Sequence, residues 1–160
     1  MEEVELSKVL TKEAVILDQF TFDSKEEMFD LMASRFVEAR IITDKDKFIE
    51  SLRERECIGP TYMGNLIGLP HGKSDVVVKP GIGFCKCKVP FTYKSCGEEG
   101  QVKYVFMLAI AGTQTGDEYM RVLARLARLL MHQEFLDELE LARSYKDVLR
   151  IIKEYETRGD

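Results

Sequence analysis

The sequence is short of residues on which several classes of protein depend. Its 160 residues contain no tryptophan, four prolines, four cysteines and two histidines, and the formal net charge is −5. A nucleic-acid backbone requires a basic surface, so this charge argues against a nucleic-acid partner. No apolar run approaches the roughly 20 residues that span a bilayer, so direct membrane insertion is not expected. The acidic N-terminus lacks the apolar core of a signal peptide, and we expect a cytoplasmic protein.

The few cysteines do not form a metal or disulfide framework. Cys85 and Cys87 make a C-x-C pair on a predicted strand, where alternation places both side chains on one face. No second C-x-x-C or histidine pair completes a tetrahedral ligand set, so strand packing is the favoured interpretation and no metal or cofactor is expected. A metal-binding or redox protein that uses Cys85, Cys87 and His71 stays open as an alternative. The glycine-rich motifs of dinucleotide and P-loop nucleotide sites are also absent.

Hydrophobic periodicity predicts helical ends and a strand-rich middle. A length of 160 residues fits one domain, residues 1–160. Short strands are expected between residues 66 and 111, and segment 102–111 is apolar enough for a central strand that is covered on both faces. Helices precede and follow this region. The order predicts an α/β fold, with a mixed sheet of about four to five strands flanked by helices on both faces.

Local signals predict where the early helices begin and end. Ser24-x-x-Glu27 has the form of a capping box, and Thr43-x-x-Asp46 is predicted to open the next helix. That helix should end near Glu56, because Gly59-Pro60 cannot continue it. The valine-rich segment 75–79 is predicted to be a strand.

A polar, glycine-rich loop follows that helix and leads into a short apolar strand and then Pro70-His71-Gly72. Pro70 fixes its own φ and favours an extended conformation at the preceding residue, so the strand should end sharply there. An imidazole titrates near pH 6.5 and is a nucleophile when one nitrogen is exposed and an acceptor holds the other. The sequence therefore suggests His71 as a phosphoryl acceptor at the edge of the sheet.

Phosphoryl transfer depends mainly on positioning and charge stabilisation, and the same stretch contains suitable donors. Thr61 and Asn65 offer side-chain donors, Gly72 offers an unshielded amide, and Arg55 offers positive charge. Taken alone, these residues also fit an ordinary surface turn next to a helix-terminal ion pair between Arg55 and Glu56.

The stretch resembles the signature of the enzyme IIA domains of fructose/mannitol type in the bacterial phosphoenolpyruvate-dependent sugar phosphotransferase system. That signature contains Arg-Glu, then Thr, a glycine-bearing turn and a short apolar strand that ends in Pro-His-Gly. The likeness extends over nearly the whole chain, from LSKVLTKEAVILD to the final helices. The matching signature residues are Arg55, Glu56, Thr61, Gly64, Asn65, Pro70, His71 and Gly72.

The resemblance implies a phosphocarrier, which is a phosphotransferase component with a phosphohistidine intermediate. His71 would accept a phosphoryl group from the histidine-containing phosphocarrier protein and pass it to an enzyme IIB component during sugar uptake and phosphorylation. Phosphoryl oxygens would bind to Thr61, Asn65 and the Gly72 amide. The alternative is a regulatory module of the nitrogen-regulatory type, whose phosphorylation state controls a partner protein. Neither the sugar nor the choice between these roles is readable from the sequence.

The resemblance further implies that Arg55 and Glu56 position the loop or a neighbouring side chain. Many members also carry a second histidine at the start of the helix after the central strand, and Tyr119 takes that place here. Tyr119 is expected to border the site, where its hydroxyl can donate a hydrogen bond but cannot act as an imidazolium. Leu66 departs from the family as well, because it stands where the family usually has glycine.

Overall fold

The helices and strands follow the predicted order, with helical ends around a strand-rich middle. The computed structural model describes residues 5–158, of which 5–10 and 114–158 form one compact unit (the helical unit) and 11–113 form another (the sheet unit). The elements are α1 (Leu6–Val9), β1 (Leu10–Gln19), α2 (Lys25–Glu38), α3 (Lys45–Ile58), β2 (Tyr62–Gly64), β3 (Ile67–Gly68), β4 (His71–Ser74), β5 (Gly81–Ser95), β6 (Glu98–Ala111), α4 (Gly116–Leu130), α5 (Gln133–Leu141) and α6 (Tyr145–Arg158).

The sheet unit is built on a mixed sheet with strand order β1-β5-β6-β3-β2, and β4 also pairs with β6. Strands β5 and β6 form a long antiparallel hairpin, whereas β3 and β4 run parallel to β6. The predicted mixed α/β sheet with flanking helices is therefore confirmed. The described residues form six strands rather than four to five, because β2 in the polar loop and β4 after Pro70 were not predicted.

Helices α2 and α3 pack their apolar faces on this sheet. Ser24 Oγ accepts a hydrogen bond from Glu27 N (3.1 Å), which confirms the predicted cap of α2. The rings of Phe36 and Phe48 meet edge to face, with centroids 5.8 Å apart. Segment 102–111 of β6 is buried on both faces except at the half-buried residue 103, as predicted for a central strand. Core side chains from these helices and strands include Met28, Phe29, Met32, Phe36, Phe48, Leu52, Phe91, Tyr93, Val102, Val105 and Met107.

Two predictions are wrong: the residue that caps α3, and the strand at residues 75–79. The cap of α3 is Asp44, whose carboxylate accepts from Lys47 N (3.0 Å), and the helix begins one residue after it. Thr43 instead donates its backbone N–H to the Val76 carbonyl (3.0 Å). The valine-rich segment 75–79 is consequently a turn region with one isolated bridge, Ile42 to Val77, rather than a strand.

The helical unit contains α1, α4, α5 and α6. The Glu156 carboxylate of α6 accepts hydrogen bonds from Leu6 N (2.8 Å) and Ser7 N (3.1 Å), so it caps the short α1. None of the helices within residues 5–158 combines the length and the hydropathy needed to cross a membrane. That residues 1–160 form a single domain stays a prediction, and residues 1–4 and 159–160 lie outside the described part. Side chains buried in this unit include Leu126, Leu130, Phe135, Leu136, Leu139, Val148, Ile151 and Ile152.

The two-residue turn between β2 and β3 places a leucine in the left-handed region. Gly64 pairs with Ile67, and the intervening Asn65 and Leu66 have φ of 55° and 67°. Positive φ at both central residues is typical of the type I′ hairpin turn, which favours Asn followed by Gly. The Leu66 carbonyl accepts from Lys103 N (2.8 Å) and Tyr104 N (3.0 Å), so contacts with β6 hold the strained residue in place.

Replacing Leu66 with glycine should therefore stabilise the protein. Relief of the left-handed strain outweighs the extra flexibility of glycine in the unfolded chain, and we expect a gain of about 0.5–1 kcal/mol. Urea unfolding at neutral pH measures the change. Leu66→Ala is the matched control, because it shortens the side chain but keeps the strain. A glycine variant that is no more stable than the alanine variant would contradict this explanation.

Candidate functional site

His71 is the first residue of β4 and lies next to the break between β3 and β4. Pro70 interrupts the strand, and its carbonyl accepts from Leu108 N (3.0 Å). From there β4 pairs with β6 in parallel, beginning with His71 opposite Leu108. Leu69 N donates to the Thr61 carbonyl (2.9 Å), which holds the preceding loop against this break. The apolar strand does end before His71, but at Gly68, and His71 and Gly72 begin the new strand β4 rather than form the predicted corner. The imidazole therefore projects from a strand that is paired with β6.

The two ring nitrogens of His71 have different partners. Nδ1 lies 2.9 Å from the Leu69 carbonyl oxygen, which can only accept, so Nδ1 carries the proton and donates it. Arg55 Nε lies 3.1 Å from Nε2 and can only donate, so Nε2 presents its lone pair. These contacts define a neutral imidazole with its unprotonated nitrogen directed at the Arg55 guanidinium. This is the tautomer that a nucleophilic histidine requires, and it was predicted only in outline.

Burial keeps this imidazole neutral. The His71 residue is only 4% exposed, which corrects the expectation of an exposed nitrogen: Arg55 covers Nε2. Burial is the main cause that lowers the pKa of His71 below its ordinary value of 6.5, and the neighbouring Arg55 charge lowers it further. The hydrogen bond to Leu69 and the Glu56 charge oppose this shift. His71 is therefore unprotonated at neutral pH and ready to act as a nucleophile.

The lowered pKa predicts that stability falls when the solution is acidified. Below about pH 6.5 the unfolded chain binds a proton on this imidazole while the folded protein does not, so acid favours the unfolded state. Above that pH the residue has no such effect. We expect the free energy of unfolding of the wild type to drop relative to that of a His71→Gln variant between about pH 7 and pH 5. Parallel pH profiles in urea unfolding would contradict the lowered pKa.

Arg55 lies in the last turn of α3 and has a second anchor. Its Nη1 donates to the Gly59 carbonyl (2.8 Å), and the residue is half-buried. A guanidinium carries five N–H donors in a planar fork, so Arg55 can hold Nε2 and still offer donors to an oxyanion. The structure thus brings together the predicted pair Arg55 and His71.

Glu56, the next residue of α3, points into a buried polar cluster rather than into a surface ion pair. It is 5% exposed, and its carboxylate accepts from the Thr61 and Ser95 hydroxyls. Lys25 Nζ lies 3.5 Å from Oε1 and also donates to the Lys94 carbonyl (2.5 Å). A buried carboxylate of this kind is tolerated only when hydrogen bonds and an opposite charge satisfy it. The cluster therefore fixes the position of the C-terminal end of α3, which contains Arg55.

Thr61 links Glu56 to Tyr93. The single Thr61 hydroxyl proton is donated to Glu56, so the Tyr93 hydroxyl, 2.6 Å away, donates to Thr61. Burial, followed by the Glu56 charge, raises the pKa of Tyr93 and keeps it a neutral donor. Sequence reasoning missed Lys25, Tyr93 and Ser95. The period-two alternation of β5, which places Phe91, Tyr93 and Ser95 on one face, is the signal that could have found two of them.

Two other predicted phosphoryl ligands, Asn65 and Gly72, differ in their exposure to solvent. Asn65 is exposed on the β2–β3 turn. Gly72 is buried, and a Cβ there would lie 2.2 Å from Ser51 Oγ and 3.2 Å from Leu52 N, so the glycine lets α3 approach β4. The parallel register, with Leu108 N bonded to Pro70, turns the Gly72 amide toward β6. Phosphoryl binding by Thr61, Asn65 and Gly72 stays a prediction, and for Thr61 and Gly72 it requires existing bonds to be exchanged.

Tyr119 belongs to the helical unit, where it lies in the first turn of α4 and is half-buried. Its predicted place at the border of the site stays a prediction.

The cysteine alternative gains no support from the geometry. Cys85 and Cys87 are buried in the core of the sheet unit. Their mutual hydrogen bond together with burial raises the pKa of Cys85, whereas the same hydrogen bond lowers the pKa of Cys87. A protonated, buried thiol such as that of Cys85 is inert as a nucleophile and as a metal ligand. Within residues 5–158 no group of three or more His, Cys, Asp or Glu side chains is placed to hold a metal ion.

Comparison with known proteins agrees with the resemblance seen in the sequence. The family described as phosphoenolpyruvate-dependent sugar phosphotransferase system, EIIA 2, matches residues 8–155. The mannitol-specific phosphotransferase enzyme IIA component of Bacillus subtilis is 31% identical over 150 residues, which cover 92% of this chain and 98% of that protein.

Two solved structures share the fold. Nitrogen regulatory protein IIA-Ntr from Neisseria meningitidis superposes with a TM-score of 0.80 at 22% identity, over 91% of this chain and 97% of that one. Enzyme IIA for mannitol from Escherichia coli, solved in complex with phosphorylated enzyme IIB, superposes with a TM-score of 0.69 at 21% identity, over 88% and 94% of the two chains. The family match covers most of the chain, and the mannitol-specific relative is matched over nearly its whole length. The chain belongs to the type 2 enzyme IIA family of the phosphoenolpyruvate-dependent sugar phosphotransferase system.

Proposed function

We propose that this protein is a phosphocarrier in which His71 Nε2 accepts a phosphoryl group from the histidine-containing phosphocarrier protein and passes it to an enzyme IIB component, for coupled sugar uptake and phosphorylation. The observation that carries the proposal is the pair of contacts on the imidazole. Leu69 fixes the Nδ1 proton and Arg55 Nε faces the Nε2 lone pair, so one nitrogen is prepared for attack and a cation is in place beside it.

The reaction begins when the Nε2 lone pair attacks the phosphorus of the donor's phosphohistidine. The bond between phosphorus and the donor ring nitrogen breaks, and its electron pair stays on the donor ring. The proton stays on Nδ1, and its hydrogen bond to the Leu69 carbonyl stabilises the positive charge that the His71 ring gains. Arg55 must leave Nε2 as phosphorus arrives, and its freed donors then bind the phosphoryl oxygens.

Arg55 is thus both the cover of the resting nucleophile and the ligand of the transferred group. The hydrogen bond from Arg55 Nη1 to the Gly59 carbonyl can persist while Nε moves away from His71, so the guanidinium stays in the site. Asn65, on the exposed turn before β3, is the predicted side chain best placed to move toward a phosphoryl group without breaking the buried cluster. Glu56 fixes the position of the C-terminal end of α3, so Arg55 stays next to β4.

The likeness to known proteins supports the direction of transfer. One structure of similar fold holds enzyme IIA with phosphorylated enzyme IIB, and the mannitol-specific relative is itself an enzyme IIA component. A regulatory role, in which the phosphorylation state of His71 controls a partner protein, is the second candidate, because the fold is shared with nitrogen regulatory protein IIA-Ntr. For either role we propose a cytoplasmic location.

Reconstitution tests the proposal. The purified full chain is incubated with phosphoenolpyruvate, enzyme I and the histidine-containing phosphocarrier protein, and an acid-labile phosphoprotein is expected only when all three are present. Failure to label under conditions that label the mannitol-specific relative would contradict the proposal. Adding enzyme IIB components then separates the two roles, because a transport component loses its label to one of them and a regulator retains it.

A further inference from the structure

The end of α3 and the tip of the β5–β6 hairpin line one open cavity of about 820 Å³ in the sheet unit. Two of the four cysteines, Cys57 and Cys96, lie in its wall, and both are exposed. The other two, Cys85 and Cys87, are buried in the core. The accessible thiols are therefore confined to this one cavity, next to Glu56.

A hydrogen bond brings the two cysteines close together. Helical bonding would pair the Glu56 carbonyl with the N–H of residue 60, but Pro60 has none, and the Cys96 thiol donates to that carbonyl instead. The carbonyl belongs to the peptide bond that leads into Cys57. The Cys96 sulfur therefore lies within hydrogen-bonding distance of the planar peptide unit that ends at the Cα atom of Cys57. Disulfides span about 4.4–6.8 Å between Cα atoms.

The tip of the β5–β6 hairpin can move as a Cys57–Cys96 disulfide requires. Ser95 pairs with Glu98, and the two-residue turn between them, Cys96 and Gly97, is exposed with φ of 50° and 79°. Glycine adopts this left-handed conformation without steric strain, whereas cysteine is strained in it. A Cβ on Gly97 would meet no heavy atom within 4 Å, so the turn has open space beside it into which it can shift.

We propose that Cys57 and Cys96 are a redox-active dithiol that forms a reversible disulfide. With a small disulfide such as oxidised glutathione, one protein thiolate attacks a glutathione sulfur and releases one glutathione thiol. The second protein thiol then attacks the mixed disulfide and releases the other glutathione. Two protein thiols are oxidised, one disulfide is reduced to two thiols, and no further oxidant is needed. Cytoplasmic disulfides are usually transient and redox-sensing, which fits an exposed pair of this kind.

The bridge has a consequence for phosphoryl transfer, and this part rests on the proposed function. Cys57 is two residues from Arg55, so a disulfide ties the hairpin to the α3 terminus that carries the guanidinium. It also removes the thiol proton that satisfies the Glu56 carbonyl. Because Arg55 must move for Nε2 to react, the oxidised form should accept phosphoryl groups about tenfold more slowly than the reduced form.

Thiol mapping of the full chain tests the dithiol without any phosphoryl transfer. The protein is equilibrated in glutathione redox buffers, alkylated, digested and analysed by mass spectrometry. We expect a linked Cys57–Cys96 peptide pair in a monomer, reversed by reduced glutathione, with Cys85 and Cys87 still alkylated after unfolding. The Cys57→Ser and Cys96→Ser variants should each carry a stable glutathione adduct on the remaining cysteine. Cys96→Ser keeps a hydroxyl donor for the Glu56 carbonyl, so it controls for loss of structure.

Several outcomes would overturn the proposal: persistent glutathione adducts on both cysteines of the wild type, a disulfide only between two chains, or a bridge to a buried cysteine. The rate of labelling from the histidine-containing phosphocarrier protein is then compared in oxidised and reduced protein. An equal rate in protein that has formed the bridge would overturn the effect on transfer. Absence of label in the reduced protein would count against the proposed function instead, and would leave the dithiol to be judged from the mapping.

Discussion

Replacing His71 with alanine is expected to abolish phosphoryl uptake. The variant lacks the Nε2 lone pair that attacks phosphorus and that Arg55 Nε faces. We expect the initial rate of labelling from the histidine-containing phosphocarrier protein to fall by at least about a thousandfold. The measurement is the amount of acid-labile phosphate per chain over time, with enzyme I and the carrier protein in excess.

Two variants control for this loss. His132, the only other histidine, is exposed at the N-terminus of α5 and its side chain makes no capping hydrogen bond, so His132→Ala should be labelled like the wild type. His71→Gln retains an amide that can bond both Arg55 and Leu69, so it should fold and yet remain unlabelled. Label on His71→Ala, or loss of label in His132→Ala, would place the phosphoryl group elsewhere.

Removing the carboxylate of Glu56 should have the largest effect on stability. Glu56→Ala leaves the Lys25 ammonium without its counter-charge and leaves the Thr61 and Ser95 hydroxyls without their acceptor. Breaking a buried, hydrogen-bonded ion pair by deleting one partner costs about 3–5 kcal/mol. Native stability is about 5–15 kcal/mol in total, so this variant should unfold at much lower urea concentration.

Glu54→Ala is the matched control, because Glu54 is exposed on the same helix and its loss should change stability by less than about 0.5 kcal/mol. Glu56→Gln should lie between the two, since its amide oxygen still accepts a hydrogen bond but the charge is gone. If Glu56→Ala and Glu54→Ala unfold at the same urea concentration, the buried cluster does not stabilise the end of α3.

The fold was predictable wherever a local pattern determines the element. The apolarity of both faces of segment 102–111 predicted the central strand β6, and Ser24 with Glu27 predicted the start of α2. Pro70 predicted the break in front of His71. In each case the cause lies within a few residues of the element, so an isolated stretch of sequence contains it.

Predictions failed where a distant segment decides the structure. Thr43 is not a helix cap, because Val76 competes for its backbone N–H across 33 residues, and Asp44 caps the helix instead. The cluster around Glu56 depends on β5, whose Tyr93 and Ser95 contact Thr61 and Glu56 only after folding. The cover of His71 depends on Arg55, which is 16 residues away in the sequence. The histidine was therefore found from its neighbours in sequence, while the contacts that set its tautomer were not.

The nitrogen that carries the phosphoryl group tests the central claim most directly. The protein, labelled with ¹⁵N at histidine, is phosphorylated and its long-range ¹H–¹⁵N correlations are recorded. Because the Nδ1 proton is held by the Leu69 carbonyl and the Nε2 lone pair faces Arg55, we predict phosphorus on Nε2 of His71, with the Nδ1 proton retained. A phosphoryl group on Nδ1, on His132 or on no histidine would contradict this account.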